Sequence, residues 1–188
     1  MLVSVIMNCA YGERFLKEAI DSIFAQTHTD WEIVFVDNCS IDGSAAIARC
    51  YEASGRLRVV RTAERIPLYA ARNVGVDNVR GEYCAFLDVD DVWEPRMIET
   101  LLARMRPEIG FVYGGYRHID AEGQPLPTPH RKRHRGIVVN WLLWRNTISI
   151  GCILLRTDVL RRNRFDPTLA MHGDFELWLR LGVLGYAC

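Results

Sequence analysis

Three aspartates lie close together in the middle of the chain, at Asp88, Asp90 and Asp91. They follow the apolar run Tyr83 to Leu87, which is typical of a buried β-strand. Side chains alternate along an extended chain, so Asp88 and Asp90 face the same way, ~7 Å apart at the backbone. Two carboxylates in one cleft repel each other unless a cation or hydrogen-bond donors lie between them. We therefore predict that Asp90 and Asp88 bind Mn²⁺ or Mg²⁺ together with substrate phosphates.

An isolated Asp-x-Asp pattern is a weak signal, and Asp91 has a second interpretation as the cap of a helix that follows it. Other strands of the predicted sheet strengthen the signal. Asn8 follows the first apolar run, and Asp37 and Asn38 follow the second. Turn chemistry would explain any one of these residues alone. Because ligands bind outside the carboxyl ends of parallel strands, their coincidence predicts a ligand crevice at this edge.

Asp174 begins a strongly apolar helical pattern that continues to Val183. An acid at this position is explained most simply as a cap or as a charge favoured by the helix dipole. A general base also has to be a carboxylate or imidazole held near the hydroxyl that it deprotonates. The sequence leaves both interpretations open. Trp178, one turn later, is a candidate for stacking on an acceptor sugar, although tryptophans are more often core residues.

Short apolar runs alternate with helical patterns along most of the chain. The runs predict strands at residues 2–7, 31–36, 57–60, 83–87, 110–113 and 152–155. Helices are predicted from residues 13 and 42, and at residues 68–79, 94–105, 138–145 and 174–183. This alternation is the signature of βαβ units, so we predict an α/β fold around a parallel sheet with helices on both faces.

The segment from Ala121 to Gly136 contains three prolines, two glycines and the basic run His130 to Arg135. It predicts a polar loop whose basic run either binds phosphates or lipid headgroups or is simply solvated.

Composition narrows the class of protein. Lys and Arg together number 23, as do Asp and Glu, so the formal net charge of 0 gives no overall attraction to nucleic acid. Six cysteines without a C-x-x-C pair are typical of reduced thiols in a cytosolic protein. The N-terminus has the pattern of a strand rather than a signal peptide. We expect a cytoplasmic protein without nucleic-acid partners. A peripheral contact with the inner face of the membrane and a homodimer remain open.

The ordered motifs resemble the family-two glycosyltransferases of the GT-A fold over nearly the whole chain. The matching segments are Val3–Cys9, Gly12-Glu13, Glu18–Ile23, Trp31–Val34, Asp37-Asn38, Ser40–Asp42, Ala71–Gly75, Gly81–Tyr83, Phe86–Trp93 and Gly173–Arg180. The resemblance implies a three-layer α/β/α sandwich around a mostly parallel sheet. It also implies transfer of a sugar from a nucleotide-diphosphate sugar to a hydroxyl of a glycan or lipid-linked acceptor, in the synthesis of bacterial cell-surface polysaccharides or glycans.

The resemblance also implies roles for individual residues. Asp174 falls where inverting, hexosyltransferase-like members have their catalytic base, and Asp88 and Asp90 match the family's Asp-x-Asp pair. The expected nucleotide-sugar-binding residues are Asn8, Ala10, Tyr11, Asp37, Asn38, Arg72, Asp88 and Val89. We expect one catalytic domain over residues 1–188, with a nucleotide-sugar-binding half at 1–115 and an acceptor-side half at 116–188.

Three departures from the family pattern stand out. Ala10 replaces the usual aromatic residue, with Tyr11 next to it, and Gly173 replaces the glutamate that usually precedes Asp174. The chain stops at Cys188, where family members normally continue, so we expect a truncated C-terminus. Two alternatives remain: a nucleotidyltransferase, although residues 8–14 lack its Gly-rich phosphate loop, and a nucleotide-sugar-binding module without full catalytic activity.

Overall fold

The structure is a computed structural model that describes residues 1–128, 134–136, 139–143 and 148–188. The described residues form six strands, β1 (Val3–Cys9), β2 (Trp31–Asp37), β3 (Leu57–Arg61), β4 (Tyr83–Phe86), β5 (Phe111–Tyr113) and β6 (Ile153–Arg156). They also form seven α-helices, α1 (Glu13–Phe24), α2 (Ser44–Cys50), α3 (Leu68–Asn78), α4 (Met97–Leu102), α5 (Val139–Leu142), α6 (Thr157–Arg162) and α7 (Gly173–Val183).

The strands form one sheet in the order β3-β2-β1-β4-β6-β5. The first four strands of the chain pair in parallel, and β6 runs antiparallel to both β4 and β5. In the register of β1 and β2, Asn8 lies opposite Val36 and Cys9 opposite Asp37, so these two strands end side by side. The prediction of an α/β fold with a mostly parallel sheet is confirmed.

Helices cover both faces of the sheet, because its strands are apolar on both sides. Val3, Val5 and Met7 of β1 pack on one face with α1, α2 and α4. Ile6, the residue between Val5 and Met7, packs on the other face with α3, α6 and α7. The three-layer α/β/α sandwich is therefore present, and the carboxyl ends of β1, β2 and β4 open between the two helical layers.

Sequence patterns misjudged parts of the second half of the chain. Helix α6 was not predicted, because six residues that include Asp158, Arg161 and Arg162 give too short an apolar stripe. The predicted loop at 121–136 begins as the end of a small hairpin, in which Ile119 bridges Pro125. Residues 130–133 of the basic run lie outside the described part of the chain, as do residues 138, 144 and 145 of a predicted helix.

No helix in the described ranges combines the length and the apolarity that a membrane-spanning helix needs.

Candidate active site

The loops after β1 and β2 hold each other through reciprocal hydrogen bonds. The Asp42 carboxylate accepts the backbone N–H groups of Gly12 (3.1 Å) and Glu13 (3.2 Å). In return, the Glu13 carboxylate accepts the Gly43 N–H at 2.8 Å. Each acid thus satisfies donors at the start of the neighbouring helix. These bonds hold the loop that carries Ala10 and Tyr11 at the carboxyl-end edge of the sheet.

Tyr11 presents an aromatic ring at this edge, and 52% of the residue is exposed. The Arg65 guanidinium lies over the ring, 4.6 Å from its centroid, and donates to the Tyr11 hydroxyl at 2.5 Å. Ala10 beside it is partly buried and has no ring to offer. Tyr11 therefore presents an exposed aromatic ring at this edge, with a cation next to it that sequence patterns did not indicate.

Asp37 and Asn38 at the end of β2 are both buried. The Asp37 carboxylate accepts the Ser40 N–H at 2.9 Å and pairs with Arg61 at 3.0 Å. The Asn38 amide donates to the Ile66 carbonyl at 2.8 Å and accepts the Ile66 N–H at 3.0 Å. In this structure Asn38 therefore holds the loop after β3. A nucleotide contact by its side chain would have to replace these bonds.

Arg72 of α3 bonds to one of the acids at the sheet edge. Its guanidinium is buried and donates to the Asp88 carboxylate at 3.0 Å, while the Asp88 side chain is 36% exposed. Because Arg72 touches Asp88, we interpret it as a residue that orients this carboxylate. Val89 packs against Gly12, where an added Cβ would lie 2.8 Å from Val89 Cγ2. This close approach joins the loop after β4 to the loop after β1.

Asp91 is not a helix cap. Helix α4 begins at Met97, with Arg96 in the capping position, so Asp91 lies well before it. The Asp91 side chain instead lines a cleft of about 870 Å³. Partial desolvation there, together with the charges of Asp88 and Asp90, raises the pKa of Asp91 to about 6. The sequence did not show that Asp91 lines a cleft, because an acid that caps a helix and an acid that faces a cleft have the same local sequence pattern.

The cleft brings together segments that are far apart in the sequence. Its described lining residues come from the loop after β4, from the helix α4, from residues 114–119, from residues 148–152, and from α7, which contributes Asp174. Asp91 and Asp174 therefore open into the same space. Asn8, Asp37 and Asp88 are not part of this lining and lie at the sheet edge. The predicted site residues thus divide into an edge group and a cleft group.

Asp174 lies in the first turn of α7, directly after Gly173. His172 before them has a φ of +60°, in the left-handed region that few residues other than glycine and asparagine adopt. A Cβ at Gly173 would lie 2.6 Å from the ring of Tyr69, which is buried. A glutamate at this position, as in the family pattern, would therefore require Tyr69 to move.

The substitution Gly173→Ala is expected to destabilise the protein by about 1–3 kcal/mol, because the methyl group would overpack against Tyr69. Chemical denaturation measures this change. Val183→Ala, at an exposed position of the same helix, is the matched control and should change stability by less than about 0.5 kcal/mol. Equal stabilities for the Gly173 variant and the wild type would mean that the helix start can shift freely.

The prediction that Trp178 stacks on an acceptor sugar is wrong. Trp178 is 0% exposed, and its ring stacks on Phe111 in the core with ring centroids 6.1 Å apart. A stacking residue needs one face open to the ligand, and Trp178 has none. On a strongly apolar helix, spacing alone does not distinguish a core tryptophan from a surface tryptophan.

Carboxylates at the carboxyl end of β4 are the groups that could hold a metal ion. Within the described part of the chain, no three His, Cys, Asp or Glu side chains form a complete metal-binding group. Mg²⁺ and Mn²⁺ sites that handle phosphates need only one or two carboxylates, because the substrate completes the coordination. Desolvation raises the pKa of Asp91 to about 6, and the charges of Asp88 and Asp90 add to the rise, so these three acids lie close enough to repel one another. The residues present therefore fit a divalent ion.

The desolvation of Asp91, next to the charges of Asp88 and Asp90, predicts a gain in stability for Asp91→Asn. The Asp91 pKa is raised from 3.8 to about 6 in the folded protein. Ionisation of Asp91 is therefore less favourable in the folded state than in the unfolded state, which lowers the free energy of unfolding. The cost is absent below pH 3.8, grows towards pH 6 and is complete above it. Because solvent screens this exposed side chain, we expect about 1 kcal/mol rather than the ~3 kcal/mol of an unscreened shift.

Thermal unfolding of the wild type and of Asp91→Asn at a series of pH values measures this effect. At pH 7.5 the variant should melt about 2–4 °C higher than the wild type, and below about pH 4 the two should coincide. A gain that is the same at every pH would contradict the account.

Comparisons with known proteins agree with this geometry. The family model described as "Glycosyl transferase family 2" matches residues 4–164. The putative teichuronic acid biosynthesis glycosyltransferase TuaG of Bacillus subtilis is 30% identical over 192 residues, which cover 98% of this chain and 73% of TuaG. The Escherichia coli UDP-Glc:alpha-D-GlcNAc-diphosphoundecaprenol beta-1,3-glucosyltransferase WfgD is 26% identical over 183 residues, covering 96% of this chain and 69% of WfgD.

Solved structures share the fold. The S. aureus TarS 1–349 structure superposes with a TM-score of 0.79 at 23% identity. The match covers 100% of this chain and 56% of the TarS chain. The mannosyltransferase PcManGT of Pyrobaculum calidifontis, in complex with GDP-Man and Mn²⁺, has a TM-score of 0.76 at 18% identity, covering 98% of this chain and 52% of PcManGT. The chain thus spans about half the length of these structures. The GT-A fold is confirmed, and the chain belongs to glycosyl transferase family 2.

Proposed function

We propose that this protein transfers a sugar from a nucleotide-diphosphate sugar to an acceptor hydroxyl, with inversion at the anomeric carbon and with the help of a divalent metal ion. The observation that carries the proposal is the common cleft of Asp91 and Asp174. Asp91 lies among the carboxylates that suit a metal ion bound to a diphosphate, and Asp174 suits a general base. About 870 Å³ of space between such groups is within the range of small-molecule sites.

In this proposal, residues 1–115 bind the donor. Tyr11 and the buried Asp37 would hold the base, and Asp88, oriented by Arg72, would lie near the ribose and phosphates. Asn8, Ala10, Asn38 and Val89 would complete the walls. TarS has been crystallised with UDP and with UDP-GlcNAc, and PcManGT with GDP-Man. These complexes support a nucleoside diphosphate as the group bound at the sheet edge.

Asp90 and Asp88, with Asp91 beside them, are the residues that would hold Mn²⁺ or Mg²⁺. When bound, the ion would supply a positive charge that stabilises the departing diphosphate. The complex of PcManGT with Mn²⁺ supports this choice of ion.

The Asp174 carboxylate would accept the proton of the acceptor hydroxyl. The acceptor oxygen would then form its bond to the anomeric carbon on the face opposite the diphosphate, while the bond from that carbon to the diphosphate oxygen breaks. One displacement of this kind inverts the configuration. Residues 116–188 would form the acceptor side. The names of TuaG and WfgD support a cell-surface polysaccharide or a lipid-linked acceptor.

One observation favours a second candidate, a module that binds nucleotide sugars without transferring them. The ring of Tyr69 occupies the space that a side chain at position 173 would need, so the family's second acid is lost next to the proposed base.

Turnover distinguishes the two candidates. Thermal shift with Mn²⁺ and a panel of UDP-, GDP- and dTDP-sugars would identify the donor, and release of the nucleoside diphosphate from that donor would then be measured. Slow hydrolysis of the donor supports the transferase. Stabilisation by the donor without any hydrolysis or transfer supports the binding module, and no stabilisation by any donor contradicts both.

A further inference from the structure

One wall of the cleft is a short hairpin at residues 114–128, called the hairpin arm below. Ile119 bridges Pro125 across the arm, and the His118 carbonyl accepts the Leu126 N–H at 2.8 Å. At its tip, the Asp120 carboxylate accepts the N–H groups of residues 122 and 124 at 3.0 and 2.8 Å. The arm therefore has a defined conformation of its own, which is what a binding wall needs.

The arm is also joined to the body of the protein. At its base, the Gly114 N–H donates to the Cys152 carbonyl at 2.7 Å. Nearer the mouth of the cleft, Arg117 forms an ion pair with Glu94, which belongs to the loop that carries Asp91. Both partners line the cleft. The arm is thus held facing the carboxylates after β4, and the cleft lies between them.

The arm contributes rings to the cleft. Among the described lining residues, Trp93, Tyr116 and His118 carry rings. Trp93 is buried and donates its indole N–H to the Gly151 carbonyl at 2.6 Å, so it belongs to the wall itself. Tyr116 is partly exposed, and His118 contacts it edge to face, with centroids 5.4 Å apart at an angle of 79°. This contact limits the rotation of the Tyr116 ring.

The position of these rings points to the acceptor rather than the donor. Asn8, Asp37 and Asp88, which carry the proposed nucleotide contacts, are outside the cleft lining, whereas Asp174 is inside it. A base that deprotonates the acceptor hydroxyl has to contact the acceptor, so the acceptor sugar belongs in the space that Asp174 shares with Tyr116. This step rests on the proposed function.

We propose that Tyr116, oriented by His118, is the platform on which the acceptor sugar stacks. The C–H groups on one face of a pyranose carry partial positive charge and suit the negative face of an aromatic ring. The sugar hydroxyls would then turn towards polar cleft residues such as Ser149, Thr100 and Asp174. A cleft with an aromatic wall and a few polar groups is the usual chemistry of a small-molecule site.

Saturation-transfer NMR tests the platform without knowledge of the natural acceptor. The probes are the methyl glycosides of glucose, galactose and N-acetylglucosamine, each with the protein, UDP and diamagnetic Mg²⁺. The wild type should transfer saturation to the ring protons of at least one glycoside. Tyr116→Ala should weaken that binding by about tenfold, whereas Tyr116→Phe, which keeps the ring, should stay within about twofold. Trp141→Ala, which removes an exposed ring outside the cleft, is the control and should change nothing.

His118→Ala should give a smaller loss than Tyr116→Ala, because the ring remains but is less well oriented. UDP affinity, measured on the same variants, should match the wild type, because the proposed nucleotide contacts of Asn8, Asp37 and Asp88 lie outside the cleft lining. If no glycoside receives saturation from the wild type, or if Tyr116→Ala binds as well as Tyr116→Phe, the platform is overturned. If binding depends on Tyr116 but the wild type neither hydrolyses nor transfers a donor sugar, the platform stands and the proposed transferase function fails.

Discussion

Asp174→Asn is expected to lower turnover by about 10²–10⁴-fold while leaving the affinity for UDP unchanged. Asparagine has nearly the same shape as aspartate but does not accept the proton of the acceptor hydroxyl, so the general-base contribution is lost. Asn8, Asp37 and Asp88, for which we propose the nucleotide contacts, lie outside the cleft lining that contains Asp174, so UDP binding should be unaffected. Steady-state kinetics gives the turnover, and calorimetry gives the UDP affinity.

Glu176→Gln is the matched control for Asp174→Asn. Glu176 is the other acid in the first turn of α7, and it pairs with Arg180 at 2.7 Å. Its neutralisation changes the charge at the start of the helix by the same amount, yet turnover should stay within about twofold, since Glu176 is not part of the cleft lining and bonds to Arg180 instead. Wild-type turnover for Asp174→Asn, or equal losses in both variants, would assign the base to another residue.

Asp90→Asn is expected to abolish the part of the UDP affinity that depends on metal, a loss of about 100-fold in the presence of Mn²⁺. Opposite charges 4 Å apart near a protein surface attract by roughly 4 kcal/mol, and screening in an open site reduces this value. Asp90 is exposed beside Asp88 and Asp91, where a bound cation would relieve the repulsion. Calorimetric titration of UDP, with Mn²⁺ and with EDTA, measures both affinities.

Glu82→Gln provides the comparison for this variant. Glu82 is an exposed acid directly before β4, at the opposite end of the strand from Asp90. The variant should keep the full increase in UDP affinity that Mn²⁺ gives to the wild type. If Asp90→Asn keeps this increase as well, the metal is bound elsewhere or is not needed.

The fold could be predicted from the sequence because its strongest signals, the apolar runs and helical stripes, are local. The apolar runs of β1, β2 and β4 and the stripe of α1 lie within single windows, and each agrees with its buried residues. The hairpin arm was harder to predict from the sequence than the sheet. Its pairing depends on one bridge between Ile119 and Pro125 and on the Asp120 turn, and a proline in a polar segment is typical of a loop.

The site was only partly readable because its geometry depends on contacts that are distant in sequence. The topology rule placed Asp37 and Asp88 correctly at one edge of the sheet. It gave no sign that the Asn38 amide is bonded to Ile66, or that Arg72 is buried beneath Asp88. The prediction that Trp178 stacks on a sugar was wrong for a related reason, because the burial of Trp178 depends on its packing against Phe111. Such pairings become visible only when the chain is folded.

The central claim is that the carboxylates after β4 hold a divalent ion that in turn binds a nucleoside diphosphate. A crystal soaked with UDP and Mn²⁺ tests it most directly, because manganese gives an anomalous signal. We expect one manganese peak within coordination distance of a carboxylate oxygen of Asp90, Asp88 or Asp91 and of the diphosphate oxygens. A nucleotide bound with no manganese at these acids, or with the acids turned away from the diphosphate, would contradict the account.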